Sequence, residues 1–417
     1  MKVLLAISAL LGSALAAAIP SLGSEYNGYK VFRIPTVDQN LAQVVRIIKE
    51  LELDTWEFPK TAGSAADVVV SPSQLSAFEE ATAGLTVEVM HEDLGASIDA
   101  ESAVVSTYEA GNLTDAWFNS YHSYNDHLQF LRDLQAQYPD NSELITAGNS
   151  YERRPLQGIH IWGSRGKGKP GVVWHGTIHA REWITTMVVE YMASSLLSER
   201  SDETVKSILD KYDFFIFPIT NPDGFVYSQS RSRLWRKNRQ PSRNNNIGTD
   251  LNRNYPYQWE GRGSSSNPSA ETFRGLRPGD SPEVQAHTRF MQSVARSQGV
   301  KMYVDWHSYS QLFLTPYGYH CSRLPRNHQK HISLATAFAQ ALRAVHGTSF
   351  RVGPTCNTIY QVNGDSVDWA VEVGGFELGF AAELRDTGRH GFVLPASQIK
   401  PSGEETWAGI KALMARM

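Results

Sequence analysis

Three short apolar runs, separated by helical patterns, most constrain the fold of this chain. Residues 171–174, 214–218 and 302–306 are almost continuously apolar. Such strands are buried on both faces, which is typical of parallel sheets in α/β proteins. Amphipathic patterns at 121–137 and 183–197 indicate helices that cover such a sheet. The sequence therefore predicts an α/β fold with a mixed, largely parallel central sheet covered by helices on both faces. Ligands of such sheets bind beyond the carboxyl ends of the strands.

The region from 21 to about 110 predicts a small separate unit. Short strands are indicated by the patterns at 29–34, 67–70 and 86–90. The amphipathic stretch 37–53 and the proline-initiated segment that begins at residue 71 predict two helices. We therefore expect a small α+β domain with an antiparallel sheet and two helices. Residues 92–118 are acidic, rich in Ala and Ser and weakly patterned, which predicts a partly helical linker.

The first 18 residues have the features of a secretory signal peptide. Lys2 precedes an apolar run over 3–11, and small residues follow at 13–16. This run is shorter than the roughly 20 apolar residues that span a bilayer, so we expect export, with removal near Ala16 or Ala18. No later segment predicts a membrane span. The formal net charge of −4 over 417 residues gives no reason to expect nucleic acid or an anionic membrane as a partner.

Export also bears on two possible covalent modifications. Asn112, in Asn112-Leu-Thr114, is the one usable glycosylation sequon. The chain holds two cysteines, Cys321 and Cys356. In an exported protein they could form a disulfide, and two free thiols are the alternative.

Zinc-type ligands follow two of the predicted strands. His179 and Glu182 come directly after the strand at 171–174, and His307 follows the strand at 302–306. Imidazole nitrogen and carboxylate oxygen suit zinc, and a catalytic zinc has three protein ligands and one open position. Each residue alone could be a surface or capping residue. Their occurrence at two strand ends favours a metal site.

These residues belong to an ordered series of motifs that resembles the zinc metallocarboxypeptidases of the pancreatic carboxypeptidase A/B type. The resemblance runs from about residue 118 to the C-terminus, and residues 21–110 resemble the inhibitory propeptide of that family. It implies a propeptide with connecting segment at 19–112 and a catalytic domain at 113–417. The motifs are His179-Ala-Arg-Glu-Trp183, Thr220-Asn-Pro-Asp-Gly224, Arg233-Leu-Trp-Arg-Lys237, Asp250-Leu-Asn-Arg-Asn254, His307-Ser-Tyr309, Ile359-Tyr360 and Glu383-Leu-Arg-Asp386.

The resemblance implies a role for each chemically active residue. His179, Glu182 and His307 would bind one zinc ion per catalytic domain. Glu383 would be the general base that takes a proton from the attacking water. Arg236 would polarise the scissile carbonyl and stabilise the oxyanion.

A second set of residues would hold the substrate or the ligands in place. Asn252, Arg253 and Tyr360 would bind the terminal carboxylate, which a guanidinium grips through two parallel hydrogen bonds. Arg181 would guide the carboxylate inward, and Tyr309 belongs to the same substrate-binding set. Asp250 would orient a ligand histidine. His175, although also near a strand end, is expected to be structural.

The residues of the specificity pocket predict that the enzyme prefers substrates with an apolar C-terminal residue. Val367 matches the pocket floor, where basic-specific members carry an acid, and Leu314 would add to the apolar wall. Asp365 stands where A-type enzymes usually have glycine, so a carboxylate at the pocket edge could also accept Lys or Arg. The alternative for Asp365 is a turn residue that faces solvent. We predict preference for C-terminal Phe, Tyr and Leu, with secondary cleavage of basic residues left open.

The resemblance further implies a secreted precursor, acting as a monomer on peptide and protein C-termini and inhibited by its own propeptide. The chain has no Lys or Arg between 61 and 131, so the activating protease is predicted not to be of the trypsin type. We expect it to cut near 108–116, after apolar or small residues. The resemblance also implies a Cys321–Cys356 disulfide that steadies the loop of Tyr360.

Two other classes of function are compatible with parts of the pattern. A non-catalytic binding protein on the same fold would have lost active-site residues, but Glu383, Arg236 and all three ligands are present. An endopeptidase would have no use for the carboxylate-binding set of Asn252, Arg253 and Tyr360. The complete series therefore favours the exopeptidase.

Overall fold

The computed structural model of the protein describes residues 21–102, 108, 110–111 and 113–417. The predicted signal peptide at 1–18 and the sequon residue Asn112 lie outside these residues. In its described residues, the N-terminal region holds four strands and three α-helices. They are β1 (Lys30–Pro35), α1 (Leu41–Glu50), β2 (Asp54–Glu57), β3 (Ala65–Val70), α2 (Leu75–Ala81), β4 (Glu88–His91) and α3 (Leu94–Ser102).

The N-terminal strands form an antiparallel sheet in the order β2-β3-β1-β4. Alternation along β1 separates its two faces: Phe32 and Ile34 pack with Phe78 of α2. Val31 points the other way and joins a cluster with Trp56 and with residues near the C-terminus of the chain. One face of the sheet is thus covered by helices, and the other contacts the larger C-terminal region.

The C-terminal region is built on an eight-stranded sheet in the order β11-β10-β12-β9-β7-β8-β6-β5. The inner strands β12, β9, β7 and β8 run parallel to one another, whereas β5 and β6 pair antiparallel at one edge. The mixed α/β architecture predicted from the apolar runs is confirmed. The strands are β5 (Ser142–Asn149), β6 (Pro155–Ile161), β7 (Gly171–Gly176), β8 (Asp213–Phe217), β9 (Val300–His307), β10 (Leu312–Thr315), β11 (Arg351–Pro354) and β12 (Leu378–Glu383).

Helices cover both faces of this sheet. The long helix α5 is buried on nearly every side because it lies between the sheet and other helices. Among the helices that the structure describes, none combines the length and the apolar character needed to cross a membrane. The helices are α4 (Tyr124–Gln137), α5 (Trp183–Ser198), α6 (Glu203–Leu209), α7 (Pro222–Ser230), α8 (Pro282–Gln298), α9 (His328–His346), α10 (Thr355–Thr358), α11 (Ser366–Glu372) and α12 (Ile399–Met414).

The N-terminal region contains a strand that the sequence did not predict and a helix within the predicted linker. Strand β2 follows α1 directly and carries Trp56 into the contact with the C-terminal region. Helix α3 (Leu94–Ser102) lies within the stretch 92–118, which the sequence predicts to be partly helical. The apolar pattern of α3 is weak because its buried face has only two large apolar residues, Leu94 and Ile98. The same helix also buries the charged Glu101.

Candidate active site

Three side chains from two adjacent strand ends converge in one cluster. His179 and Glu182 lie in the turn between β7 and α5, and His307 is the last residue of β9. Their ligand atoms all lie within 4.8 Å of one another. His179 Nδ1 is 2.8 Å from Glu182 Oε1, and His307 Nδ1 is 3.1 Å from Glu182 Oε2. This buried set of two imidazoles and one carboxylate fits the ligand chemistry of zinc.

A buried carboxylate, Asp250, backs the first of these histidines. Its Oδ1 lies 3.1 Å from His179 Nε2, and its Oδ2 accepts hydrogen bonds of 3.1 and 3.0 Å from the Arg236 guanidinium. Burial opposes ionisation, but the charges of Arg236, Arg253 and His179 together lower the pKa of Asp250 well below its usual range. One carboxylate therefore fixes the positions of both His179 and Arg236.

Glu383 ends strand β12, beside His307. The parallel register places the two residues directly opposite each other, and both line the cavity that holds the His179–Glu182–His307 cluster. Burial raises the pKa of Glu383 well above its ordinary value, and the nearby carboxylates Glu182 and Glu57 act in the same direction. A carboxyl group with increased proton affinity thus faces the cluster.

Two arginine side chains, Arg253 and Arg181, line the same cavity. The Arg253 guanidinium donates to the Gly263 carbonyl at 2.7 Å, and its Nη2 lies 3.5 Å from the Tyr360 hydroxyl. Arg181 lies with its guanidinium carbon 4.1 Å from the centre of the Phe392 ring. These two guanidinium groups bring positive charge to the cavity, which suits an anionic group.

The cavity also has an apolar wall with one acid. Val367 and Leu314 line it and are almost fully buried. Asp365 Oδ1 caps helix α11 by accepting from the Asp368 backbone N–H at 2.9 Å. Its Oδ2 is buried, and its carboxyl group also interacts with the Asp368 side chain. Burial raises the pKa of Asp365. The alternative of a turn residue facing solvent is wrong, since Asp365 is only 6 % exposed.

Residues of the N-terminal region close part of this cavity. Trp56 and Glu57 contribute to its lining, and Lys60 Nζ lies 3.2 Å from the centre of the Tyr360 ring. The Tyr309 hydroxyl donates to Asp67 at 2.5 Å. Sequence reasoning identified none of these N-terminal residues. The one available signal was Asp67, a charged residue within an otherwise apolar strand.

The remaining residues singled out from the sequence occupy separate places. A disulfide joins Cys321 to Cys356, and Cys356 lies in helix α10, just before Tyr360. His175 is fully buried, with Nδ1 3.3 Å from Thr220 Oγ1, and does not belong to the cluster.

Profiles of known protein families match both parts of the chain. The family described as zinc carboxypeptidase matches residues 127–409. The family described as carboxypeptidase activation peptide matches residues 32–101. The cluster, Glu383 and the other cavity-lining residues of the C-terminal region fall within the first match. Trp56, Glu57, Lys60 and Asp67 fall within the second.

Individual proteins match over almost the whole chain. Metallocarboxypeptidase A of Trichophyton rubrum is 54 % identical over 418 residues, which cover 99 % of each chain. Carboxypeptidase A2 of Mus musculus is 36 % identical over 389 residues, 91 % of each chain. Among solved structures, carboxypeptidase A from Helicoverpa armigera superposes with a TM-score of 0.81 at 26 % identity, covering 94 % of this chain and 97 % of its own.

Proposed function

The chain belongs to the zinc carboxypeptidase family and carries the activation peptide of that family, and we propose that its processed form removes single residues from the C-termini of peptides by the mechanism below. The observation that supports this most strongly is the shared cavity. It holds a buried cluster suited to zinc, the carboxyl group of Glu383 and the guanidinium of Arg253. The zinc-type cluster together with Glu383 is suited to hydrolysis of a peptide bond. The Arg253 guanidinium is suited to binding the free carboxylate at the substrate C-terminus.

His179, Glu182 and His307 are the proposed ligands of one zinc ion. Zinc, when bound there, would supply Lewis acidity and lower the pKa of water. Asp250 would hold His179 in the orientation and tautomer that leave Nδ1 free for the metal.

Glu383 is the proposed general base. Its carboxylate would accept a proton from the attacking water and pass it to the leaving amine. The increased pKa matches this task, because a general base works best when its pKa approaches the working pH. Arg236, held by Asp250, would stabilise the negative charge that develops on the scissile carbonyl oxygen.

Asn252, Arg253 and Tyr360 are the proposed binding groups for the terminal carboxylate, with Arg181 guiding it and Tyr309 completing the set. The nearly buried Arg253 has a fork geometry that fits two carboxylate oxygens. An internal peptide segment has no such group, which favours exopeptidase over endopeptidase action.

Val367 and Leu314 support a preference for apolar and aromatic C-terminal residues. Asp365 supports additional acceptance of Lys or Arg, because a buried carboxylate in the cavity lining would gain a charge-assisted hydrogen bond from a basic side chain.

The N-terminal region would keep the precursor inactive by covering the cavity. Its contacts involve proposed substrate-binding residues directly: Lys60 lies over Tyr360, and Asp67 accepts from Tyr309. Trp56 packs against Phe392, the ring beneath Arg181. A peptide C-terminus would need the space that these side chains occupy.

Further proposals concern the export, processing and modification of the protein. We propose export directed by residues 1–18, a propeptide with connecting segment at 19–112 and a catalytic domain at 113–417. We also propose glycosylation at Asn112, a monomeric state and activation by a protease not of the trypsin type. The Cys321–Cys356 disulfide would steady the loop of Tyr360.

The variant Glu383→Gln tests the mechanism. It is expected to bind one zinc ion while peptide hydrolysis by the processed enzyme falls at least about a hundredfold, the scale of general-base catalysis. His179→Ala is the companion variant and should lose zinc as well. Near-normal hydrolysis by zinc-loaded Glu383→Gln would contradict the proposed role.

A further inference from the structure

A second buried carboxylate, Asp305, lies beside the proposed metal centre. It precedes His307 by two residues on β9, so the two side chains are on the same face of the strand. The Asp305 side chain is fully buried, and its Oδ2 lies 3.0 Å from His307 Nε2. Sequence reasoning gave this acid no role, although a charged residue within an apolar strand was a signal.

The other close neighbour of His307 Nε2 cannot accept a hydrogen bond from it. Asn252 Nδ2 lies 3.1 Å from this nitrogen, while Asn252 Oδ1 accepts from the Ser366 backbone N–H at 2.8 Å. This hydrogen bond fixes the orientation of the amide, so its NH₂ group faces the histidine. When Nδ1 faces a metal, the neutral ring carries its proton on Nε2. Among the described neighbours of Nε2, Asp305 is then the acceptor.

Asp305 is itself held by a hydrogen bond to Oδ2, and its Oδ1, which has no hydrogen-bond partner among the described residues, lies near a second buried histidine. The Ser366 hydroxyl donates to its Oδ2. Its Oδ1 lies 3.4 Å from His175 Nε2, and the parallel register of β7 and β9 places His175 directly opposite Asp305. A carboxylate fixed in this way by neighbouring elements can define the position of the histidine ring that it touches.

We propose that Asp305 is a positioning residue that orients His307 and keeps its Nδ1 free for zinc, as Asp250 does for His179. Both ligand histidines would then be backed by a buried carboxylate, at 3.1 Å for Asp250 and 3.0 Å for Asp305. Such carboxylates increase the metal affinity of the histidine that they orient. The inference rests on the proposed function, in which His307 is a zinc ligand.

The test is the zinc dissociation constant of the full chain, measured by competition with a chelator. Asp305→Asn is expected to weaken zinc binding by about 10- to 100-fold. Asp213→Asn is the matched control. Asp213 is also fully buried, lies on β8 and has Oδ2 3.2 Å from His160 Nε2, a histidine outside the metal cluster. This control should bind zinc within about twofold of the unaltered chain.

Zinc affinity in Asp305→Asn equal to that of the control would overturn the inference. So would weaker binding in Asn252→Ala but not in Asp305→Asn, because Asn252 would then be the partner of His307. If His307→Ala also binds zinc normally, His307 is not a zinc ligand and the proposed function itself is wrong. This variant therefore distinguishes failure of the proposed function from failure of the inference about Asp305.

A second variant covers the case in which Asp305→Asn does not fold. Ser366→Ala removes the hydroxyl that donates to Asp305 Oδ2 but leaves the carboxylate in place. It is expected to weaken zinc binding several-fold, and partial recovery of hydrolysis in excess zinc should accompany this loss. Unchanged zinc binding in Ser366→Ala would then overturn the inference.

Discussion

Glu101 and Arg233 form a fully buried ion pair between the activation peptide and the catalytic region. Arg233 Nε and Nη2 donate to the two carboxylate oxygens of Glu101 at 2.6 and 2.9 Å, and both side chains are at most 1 % exposed. Arg233 also donates to the Arg181 carbonyl and lies over the Trp183 ring. This pair therefore links helix α3 to the turn that carries the proposed zinc ligands.

Replacement of Glu101 should loosen the precursor. Glu101→Gln leaves Arg233 buried without its counter-charge, and loss of one partner from a buried pair costs about 3–5 kcal/mol. We expect weaker docking of the activation peptide and a measurable rate of peptide hydrolysis by the uncleaved chain. Glu92→Gln is the control, because the Lys30–Glu92 pair is exposed and should contribute at most about 1 kcal/mol. Equal basal activity in both variants would contradict this role.

Low pH should remove the contribution of His91 to the docking of the activation peptide. Its ring contacts Ser97 Oγ, the His390 carbonyl and the Trp56 ring, with Asp386 and His390 as charged or titratable neighbours. Burial lowers the pKa of His91. As the pH falls below about 6.5, His91 takes up a proton more readily in the released peptide than in the docked one. The contribution of His91 to docking is therefore complete above that pH and is lost below it.

The measurement for His91 is the dissociation constant of the cleaved peptide from the catalytic domain between pH 5 and 8. Burial raises the pKa of Glu57 to about 7, and a raised acid pKa favours docking at low pH, opposite to His91. The contribution of His91 is thus read from the comparison with His91→Gln, which retains Glu57. Identical pH profiles for the two proteins would exclude the effect.

Asp365 should control the acceptance of basic residues. Asp365→Asn keeps an oxygen that can cap helix α11 but removes the negative charge from the cavity. We expect kcat/KM for peptides ending in Arg or Lys to fall about tenfold or more, while peptides ending in Phe change little. In the unaltered enzyme, Phe, Tyr and Leu should be preferred over Arg. A clear preference for Arg would refute the apolar assignment based on Val367.

Trypsin should fail to generate the mature N-terminus. The interval 61–131 contains no Lys or Arg, whereas a protease that prefers apolar or small residues should cut near 108–116. N-terminal sequencing of the product after each treatment measures this directly. A mature form that starts within 108–116 after trypsin alone would be incompatible with the prediction.

The central sheet and its chemistry were predictable because their signals are local. Apolar strands with His179, Glu182 and His307 at their ends follow from short stretches of sequence, and the motif series identified the family. The bounds of helix α3 and the burial of Glu101 were not predictable, because Glu101 pairs with Arg233, which is 132 residues away along the chain. The burial of Asp365 likewise depends on elements that meet only in the folded protein. The contact of Asp305 with His307 lies within strand β9, and its signal, an acid two residues before a ligand histidine, was present in the sequence but was not used.

The most direct test of the central claim compares a peptide with a free C-terminus and its amidated twin. The processed enzyme, with its zinc content measured in the same sample, is incubated with each peptide, and the products are resolved by mass spectrometry. We expect one zinc per chain and a ladder of products shortened one residue at a time from the free peptide, with little loss from the amidated twin. Equal hydrolysis of the two peptides, or full activity without zinc, would contradict a zinc exopeptidase that recognises the terminal carboxylate through Asn252, Arg253 and Tyr360.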